Sequence, residues 1–156
     1  MPVEIGQKAP DFTLFDSEKK QVTISDYSDQ NVLLLFFPLA FTKTCTAELC
    51  YIRDNISLYN KADAKVFGIS VDALHTLAKY KTDQQLNFTL LSDFNKDVSR
   101  LYDSLYEMFS YNMKGVSKRS AFVIDKKGIV RYAQVLENAG EIPDFEAIQA
   151  MLEELN

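Results

Sequence analysis

Phe36-Phe37-Pro38-Leu39-Ala40-Phe41-Thr42-Lys43-Thr44-Cys45 joins two kinds of structure. It leaves the unbroken apolar run Val32 to Phe37, passes a proline and a polar turn, and ends on a cysteine where helical spacing begins. An apolar run with no polar alternation reads as a central strand buried on both faces. The cysteine then stands at a helix start, where unpaired backbone N–H groups converge and the helix dipole is positive. Both features favour a thiolate over a thiol, so the position suits a reactive cysteine better than a packing one.

Working outward, strands alternate with helices. Phe12-Thr13-Leu14 and Gln21-Val22-Thr23-Ile24 flank the polar Asp16-Ser17-Glu18-Lys19-Lys20, which predicts an N-terminal hairpin. A helix is expected from about Cys45 to Asn60, and a second central strand from Lys65 to Val71. Leu74 to Gln84 predicts a helix, Thr89 to Ser92 a short strand, and Asp97 to Leu101 a short helix. Arg119 to Ile124 and Ile129 to Leu136 read as strands around the turn Asp125-Lys126-Lys127-Gly128. Asp144 is placed to cap a last helix, in which Phe145, Ile148, Met151, Leu152 and Leu155 have helical spacing. The pattern is that of an α/β sandwich with a mixed sheet.

The bulk properties bound the function. At 156 residues the chain is long enough for one domain with a real core, residues 1–156, and no linker or repeat divides it. A net charge of −5 argues against a nucleic-acid surface and against docking to an anionic membrane. No signal peptide is visible at the N-terminus, and Val32 to Phe37 is far too short to span a bilayer. A cytoplasmic protein is expected, in which thiols stay reduced unless they are catalytic or redox-sensing. Two cysteines and the lone His75 cannot supply the usual four zinc ligands without carboxylate help, so no metal or cofactor is expected. His75 reads as a helix-surface residue without a role.

The two cysteines fall on different helix faces. At about 100° per residue, Leu49, Ile52, Ile56 and Tyr59 share one apolar stripe with Cys45. Cys50 lies about 140° away, among Thr46, Arg53, Asp54 and Ser57. The plain alternatives are a small buried hydrophobe for Cys45 and an incidental surface thiol for Cys50. Their Cα atoms, five residues apart, would sit about 8.7 Å apart in an ideal helix, beyond the roughly 7 Å limit for a disulfide. A bridge between them requires the first turns to unwind. The spacing is not C-x-x-C, which counts against dithiol exchange of the thioredoxin type.

Pro38, Thr42 and Cys45 meet the pattern P-x-x-x-T-x-x-C, with Thr46-Ala47-Glu48-Leu49 after it. Together with Gly6-Gln7-Lys8-Ala9-Pro10-Asp11-Phe12-Thr13-Leu14 and Arg119-Ser120-Ala121-Phe122-Val123-Ile124-Asp125-Lys126-Lys127-Gly128, this resembles the peroxiredoxins. The resemblance is nearest to the branch of the bacterioferritin comigratory protein and the one-cysteine alkyl hydroperoxide reductase E proteins. It implies a thioredoxin-like fold and reduction of hydrogen peroxide and organic hydroperoxides, the reductant being thioredoxin, a glutaredoxin-like protein or a small thiol.

The resemblance also implies roles. Cys45 attacks the peroxide and becomes a sulfenic acid. Thr42 holds thiolate and peroxide through its hydroxyl, Arg119 supplies permanent positive charge, and Pro38 shapes the turn and shields the sulfur. Glu48 matches a position that orients the arginine. Cys50 matches a resolving cysteine found in part of the branch, and no later cysteine offers a C-terminal resolver; an external thiol remains the alternative. Without the resemblance, Thr42 would read as a helix cap and Arg119 as a solvated charge at a strand edge.

Residues 101–116 depart from the pattern. They carry Tyr102, Tyr106, Met108, Phe109, Tyr111 and Met113, and Asp103 stands where a glycine is expected. Such a cluster is core or loop packing, or else a lid on the peroxide pocket or a dimer surface. Monomer and homodimer are both compatible with the sequence. Two competing functions stay open at this level: a thiol–disulfide oxidoreductase, and a non-catalytic redox sensor in which oxidation of Cys45 unwinds the helix.

Overall fold

The computed structural model describes residues 2–156. Its centre is β3 (Asn31–Phe36), every residue of which is buried. Leu33 and Leu35 point into one apolar cluster and Val32, Leu34 and Phe36 into another, on opposite faces of the sheet. That two-sided burial is why the run lacks alternation. β4 (Ala64–Ser70) pairs parallel to β3, and β5 (Thr89–Ser92) parallel to β4. β8 (Ser120–Ile124) runs antiparallel on the other side of β3, followed outward by β9 (Val130–Val135). The hairpin of β1 (Thr13–Asp16) and β2 (Gln21–Thr23) adds to β5. The seven-stranded mixed sheet has the order β2-β1-β5-β4-β3-β8-β9.

One face is covered by α1 (Lys43–Asp54), α2 (Ile56–Lys61), α3 (Leu74–Asp83) and α5 (Phe145–Glu154). The other is covered by α4 (Asp97–Leu101), by Tyr102 and by the N-terminal segment through Val3 and Phe12. Helices on both faces of a mixed sheet make the α/β sandwich that the alternation predicts. The predicted cap of α5 is present, the Asp144 carboxylate accepting from the Ala147 N–H at 3.1 Å.

Three expectations are corrected. The helix expected from Cys45 to Asn60 begins two residues earlier and is broken at Asn55. Asparagine is a poor helix former, and Asn55 leaves the helical conformation at φ −116°, its N–H shared between the Tyr51 and Ile52 carbonyls at 3.2 and 3.1 Å while its side chain also donates to the Tyr51 carbonyl at 2.8 Å. Residues 101–116 are not one packing segment. Tyr102 is buried in the core, while β6 (Leu105–Tyr106) and β7 (Val116–Ser117) pair as a small separate ribbon carrying a loop with Tyr111 95% exposed. Asp103 replaces the expected glycine at φ +50°, a left-handed position that aspartate tolerates better than most residues. Cys50, expected as an exposed thiol, is half-buried, because the end of α3 packs over that side of α1.

Candidate active site

β3 ends against the loop 37–42, which delivers the chain to α1. Thr42 occupies the cap position but does not cap: its hydroxyl donates to the Leu39 carbonyl at 2.7 Å. That bond closes the loop on itself and leaves the hydroxyl's lone pairs open to the cavity that Thr42 lines. Phe41 sits at φ +67°, a conformation that costs a residue with a Cβ about 1–2 kcal/mol. Contacts from outside the loop must hold it. The Phe41 ring lies 4.9 Å from that of Tyr80, and the hydroxyls of Thr46 and Tyr80 are 2.8 Å apart. Burial pushes the Tyr80 phenol up to about 12, so it stays neutral there.

Cys45 is the third residue of α1 and 1% exposed, at the floor of a cavity of about 480 Å³. Pro38, Thr42, Tyr106, Phe109 and Arg119 line that cavity with it. The first N–H groups of α1 have no helical acceptor and face the same end of the helix as the sulfur. Arg119 stands just before β8, and its side chain is among the largest fully buried ones. It is not the solvated edge charge of the alternative reading. Its Nη2 donates to the Cys45 sulfur at 3.3 Å and to the Ala139 carbonyl at 2.8 Å; Nε donates to the same carbonyl at 3.1 Å; Nη1 donates to Glu48 Oε1 at 2.7 Å. The rigid guanidinium fork is thus held on three sides, with one edge presented to the sulfur.

Glu48 lies one turn beyond Cys45, wholly buried, and its Oε2 has no hydrogen-bond partner among the described residues. Burial raises its carboxyl to about 7, against the opposing pull of Arg119. Arg119 is shifted up: burial lowers it, but the charges and hydrogen bonds of Glu48 and Cys45 outweigh that. On the far side of α1, the Cys50 sulfur lies 3.6 Å from Gln84 Oε1, and both cysteines are free thiols.

The structure therefore brings Pro38, Thr42, Cys45 and Arg119 to one cavity, places Glu48 beneath Arg119, and leaves Cys50 on another face. Sequence reasoning did not find the Ala139 carbonyl or Tyr80. A backbone acceptor leaves no side-chain signal, and Tyr80 reads as ordinary helix packing.

The model of the AhpC/TSA family matches residues 5–133. The chain belongs to the AhpC/TSA family. Its members are the peroxiredoxins, thiol-dependent peroxidases of the oxidoreductase class, and this chain is a peroxidase of that kind. It is 38% identical over 145 residues to alkyl hydroperoxide reductase E of Mycobacterium tuberculosis, covering 91% of each chain. Among solved structures it resembles the peroxidoxin BcpB of Mycobacterium tuberculosis at TM-score 0.87 and 26% identity, covering 99% of both chains. It also resembles the bacterioferritin comigratory protein of Xanthomonas campestris at TM-score 0.80 and 25% identity, over 92% of this chain and 90% of that one. The predicted thioredoxin-like sandwich agrees with these neighbours. The family implies a hydroperoxide substrate and a thiol reductant such as thioredoxin. Among the described residues no helix is long and apolar enough to cross a membrane.

Proposed function

We propose that Cys45 is the residue that reduces the peroxide, with Pro38, Thr42 and Arg119 forming the site around it. The observation that carries this reading is the guanidinium N–H of Arg119, 3.3 Å from the Cys45 sulfur at the floor of an open cavity. The thiolate attacks one peroxide oxygen; the S–O bond forms as the O–O bond breaks, and the departing oxygen takes a proton to leave as water or alcohol. Arg119 and the helix N-terminus stabilise charge first on sulfur and then on the departing oxygen. Thr42 offers its open lone pairs to the peroxide's O–H. Glu48 orients Arg119. Tyr106, Met108 and Phe109 on the cavity wall accommodate the tail of an organic hydroperoxide as well as hydrogen peroxide.

Cys50 resolves the sulfenic acid in this reading: its sulfur displaces the hydroxyl, giving an internal disulfide and water, which a thioredoxin-class protein, a glutaredoxin-like protein or a small thiol then reduces. The half-buried Cys50 sulfur, bonded among the described residues to the Gln84 side chain alone, is free to leave that contact. The whole chain acts as one cytoplasmic domain, as a monomer or homodimer. Intact mass spectrometry after one equivalent of hydrogen peroxide tests the scheme. A loss of two hydrogens, absent from Cys45→Ser and Cys50→Ser, is expected. A stable gain of one oxygen in the parent protein assigns resolution to an external thiol, and oxidation in Cys45→Ser removes Cys45 from its role.

A further inference from the structure

Between β4 and α3 lies a carboxylate that the chemistry above does not use. Asp72 Oδ2 accepts the Ala40 backbone N–H at 2.8 Å and the Ser70 hydroxyl at 2.7 Å. Its own carbonyl accepts the Ser92 hydroxyl at 2.6 Å, and its N–H donates to the Ser70 oxygen at 3.2 Å. The residue is thus fixed at the rim of the sheet, its carboxylate by Ser70 of β4 and its carbonyl by Ser92 of β5, and among the described residues the carboxylate's other contact is the loop that carries Pro38 and Thr42.

That loop needs an external hold. Phe41, the residue after Ala40, is left-handed, and the next residue, Thr42, is extended. A left-handed residue with a Cβ persists only where surrounding structure over-determines it. The start of the loop is tied to β4 by the Phe37 N–H on the Ile69 carbonyl at 2.9 Å, and the contacts nearest the left-handed turn come from one stretch of chain, Asp72 to Tyr80: the Asp72 carboxylate on Ala40, the Tyr80 ring on Phe41, and the Tyr80 hydroxyl on Thr46. They bracket Thr42 and Cys45 from both sides. We propose that Asp72 is a positioning residue for the peroxide step, holding the Ala40 peptide so that Phe41 stays left-handed and Thr42 and Pro38 face the sulfur.

The inference rests on the assignment of Cys45, Thr42 and Pro38 above. It separates two properties of the site. Nucleophilicity of the sulfur comes from Arg119 and α1, neither of which touches Asp72. Alignment of the peroxide comes from the loop. Loss of Asp72 therefore slows reaction with a peroxide, which needs alignment, and not alkylation by iodoacetamide, which needs the thiolate and access to it but no contact with Thr42.

The experiment is made in the Cys50→Ser background, where Cys45 is the sole thiol, by quenching and intact mass. Asp72→Ala is expected to slow oxidation by hydrogen peroxide about tenfold or more, with alkylation within about twofold of the parent. Asp72→Asn keeps an acceptor oxygen and is expected within about threefold of the parent in both reactions. Where Asp72→Ala does not fold, Ser70→Ala, which removes the second donor steadying Oδ2, is read the same way, with about threefold slowing confined to oxidation. Oxidation at the parent rate, or equal slowing of both reactions, overturns the role of Asp72. A parent protein whose Cys45 fails to react with peroxide overturns instead the site assignment beneath it.

Discussion

Glu48 and Arg119, 71 residues apart in the chain, form an ion pair 2.7 Å long with both side chains buried. A buried pair of this kind is weak evidence for stability, because taking two charges out of water offsets most of their attraction. Its value here is geometric. With Nη1 on Glu48 and Nε and Nη2 on the Ala139 carbonyl, the guanidinium has little freedom except to present Nη2 to Cys45. Arg119→Lys keeps the charge, but a single ammonium cannot reach all three partners in that fork. The expected result is a second-order rate with hydrogen peroxide lower by about 10²-fold, measured by stopped flow. A lysine variant within a few-fold of the parent would show that charge alone suffices.

Breaking the pair from the other side leaves a buried guanidinium without its carboxylate. Glu48→Ala is expected to destabilise the fold by about 3–5 kcal/mol, read from the urea midpoint at constant slope. Glu48→Gln keeps an oxygen for Nη1 and is expected to lose clearly less. Equal losses would mean that volume, not the hydrogen bond, sets the cost.

Glu48 also gives stability a pH dependence of definite sign. Its carboxyl titrates near 4.5 in the unfolded chain and at about 7 in the fold, where burial outweighs the pull of Arg119. Between those values the folded state holds the proton and the unfolded state does not, so the Arg119 contact is a hydrogen bond to a neutral acid there and an ion pair above about 7, and stability falls as pH rises. The contribution is fully present below about 4.5 and lost by the time pH has passed about 7. Unfolding free energies of parent and Glu48→Gln measured across that window should differ by this slope. Parallel curves would show that Glu48 does not titrate there.

How much of this was legible follows from the range of each interaction. The run Val32 to Phe37 shows its two-sided burial in composition alone, and the α5 cap is a contact three residues long. The Cys45 stripe follows from helical angle, and Leu49, Ile52 and Tyr59 are buried with it, while Ile56, just past the break, is only partly buried. The break at Asn55 is a change of backbone conformation at one residue that leaves the apolar spacing intact, so periodicity passes straight through it. Helical angle puts Cys50 on the polar face of α1, and its half-burial comes from Gln84, 34 residues on. The 101–116 segment has neither period, because its pieces answer to different partners: Tyr102 to the core, Tyr106 to the carbonyls of Leu136 and Glu137. Arg119 meets Cys45 across 74 residues, and nothing local marks that pairing; only the resemblance singled it out.

The position of Cys50 would make a disulfide to Cys45, as proposed above, a conformational event. Both cysteines lie in the continuous helix α1, where a five-residue separation leaves their Cα atoms about 8.7 Å apart, so bridging demands loss of helical hydrogen bonds between them. The start of α1 is pinned by the Thr46–Tyr80 contact, whereas Cys50 is held by one weak sulfur contact. Unwinding should therefore separate Thr46 from Tyr80 or carry Cys50 away from Gln84. Hydrogen exchange of the amides from 45 to 51 should accelerate after oxidation of the parent protein and stay slow in oxidised Cys50→Ser, which instead accumulates sulfenic acid that dimedone labels. Exchange that speeds up equally in both would trace the unwinding to sulfenic acid formation alone. Equal dimedone labelling would show that Cys50 leaves the sulfenic acid untouched.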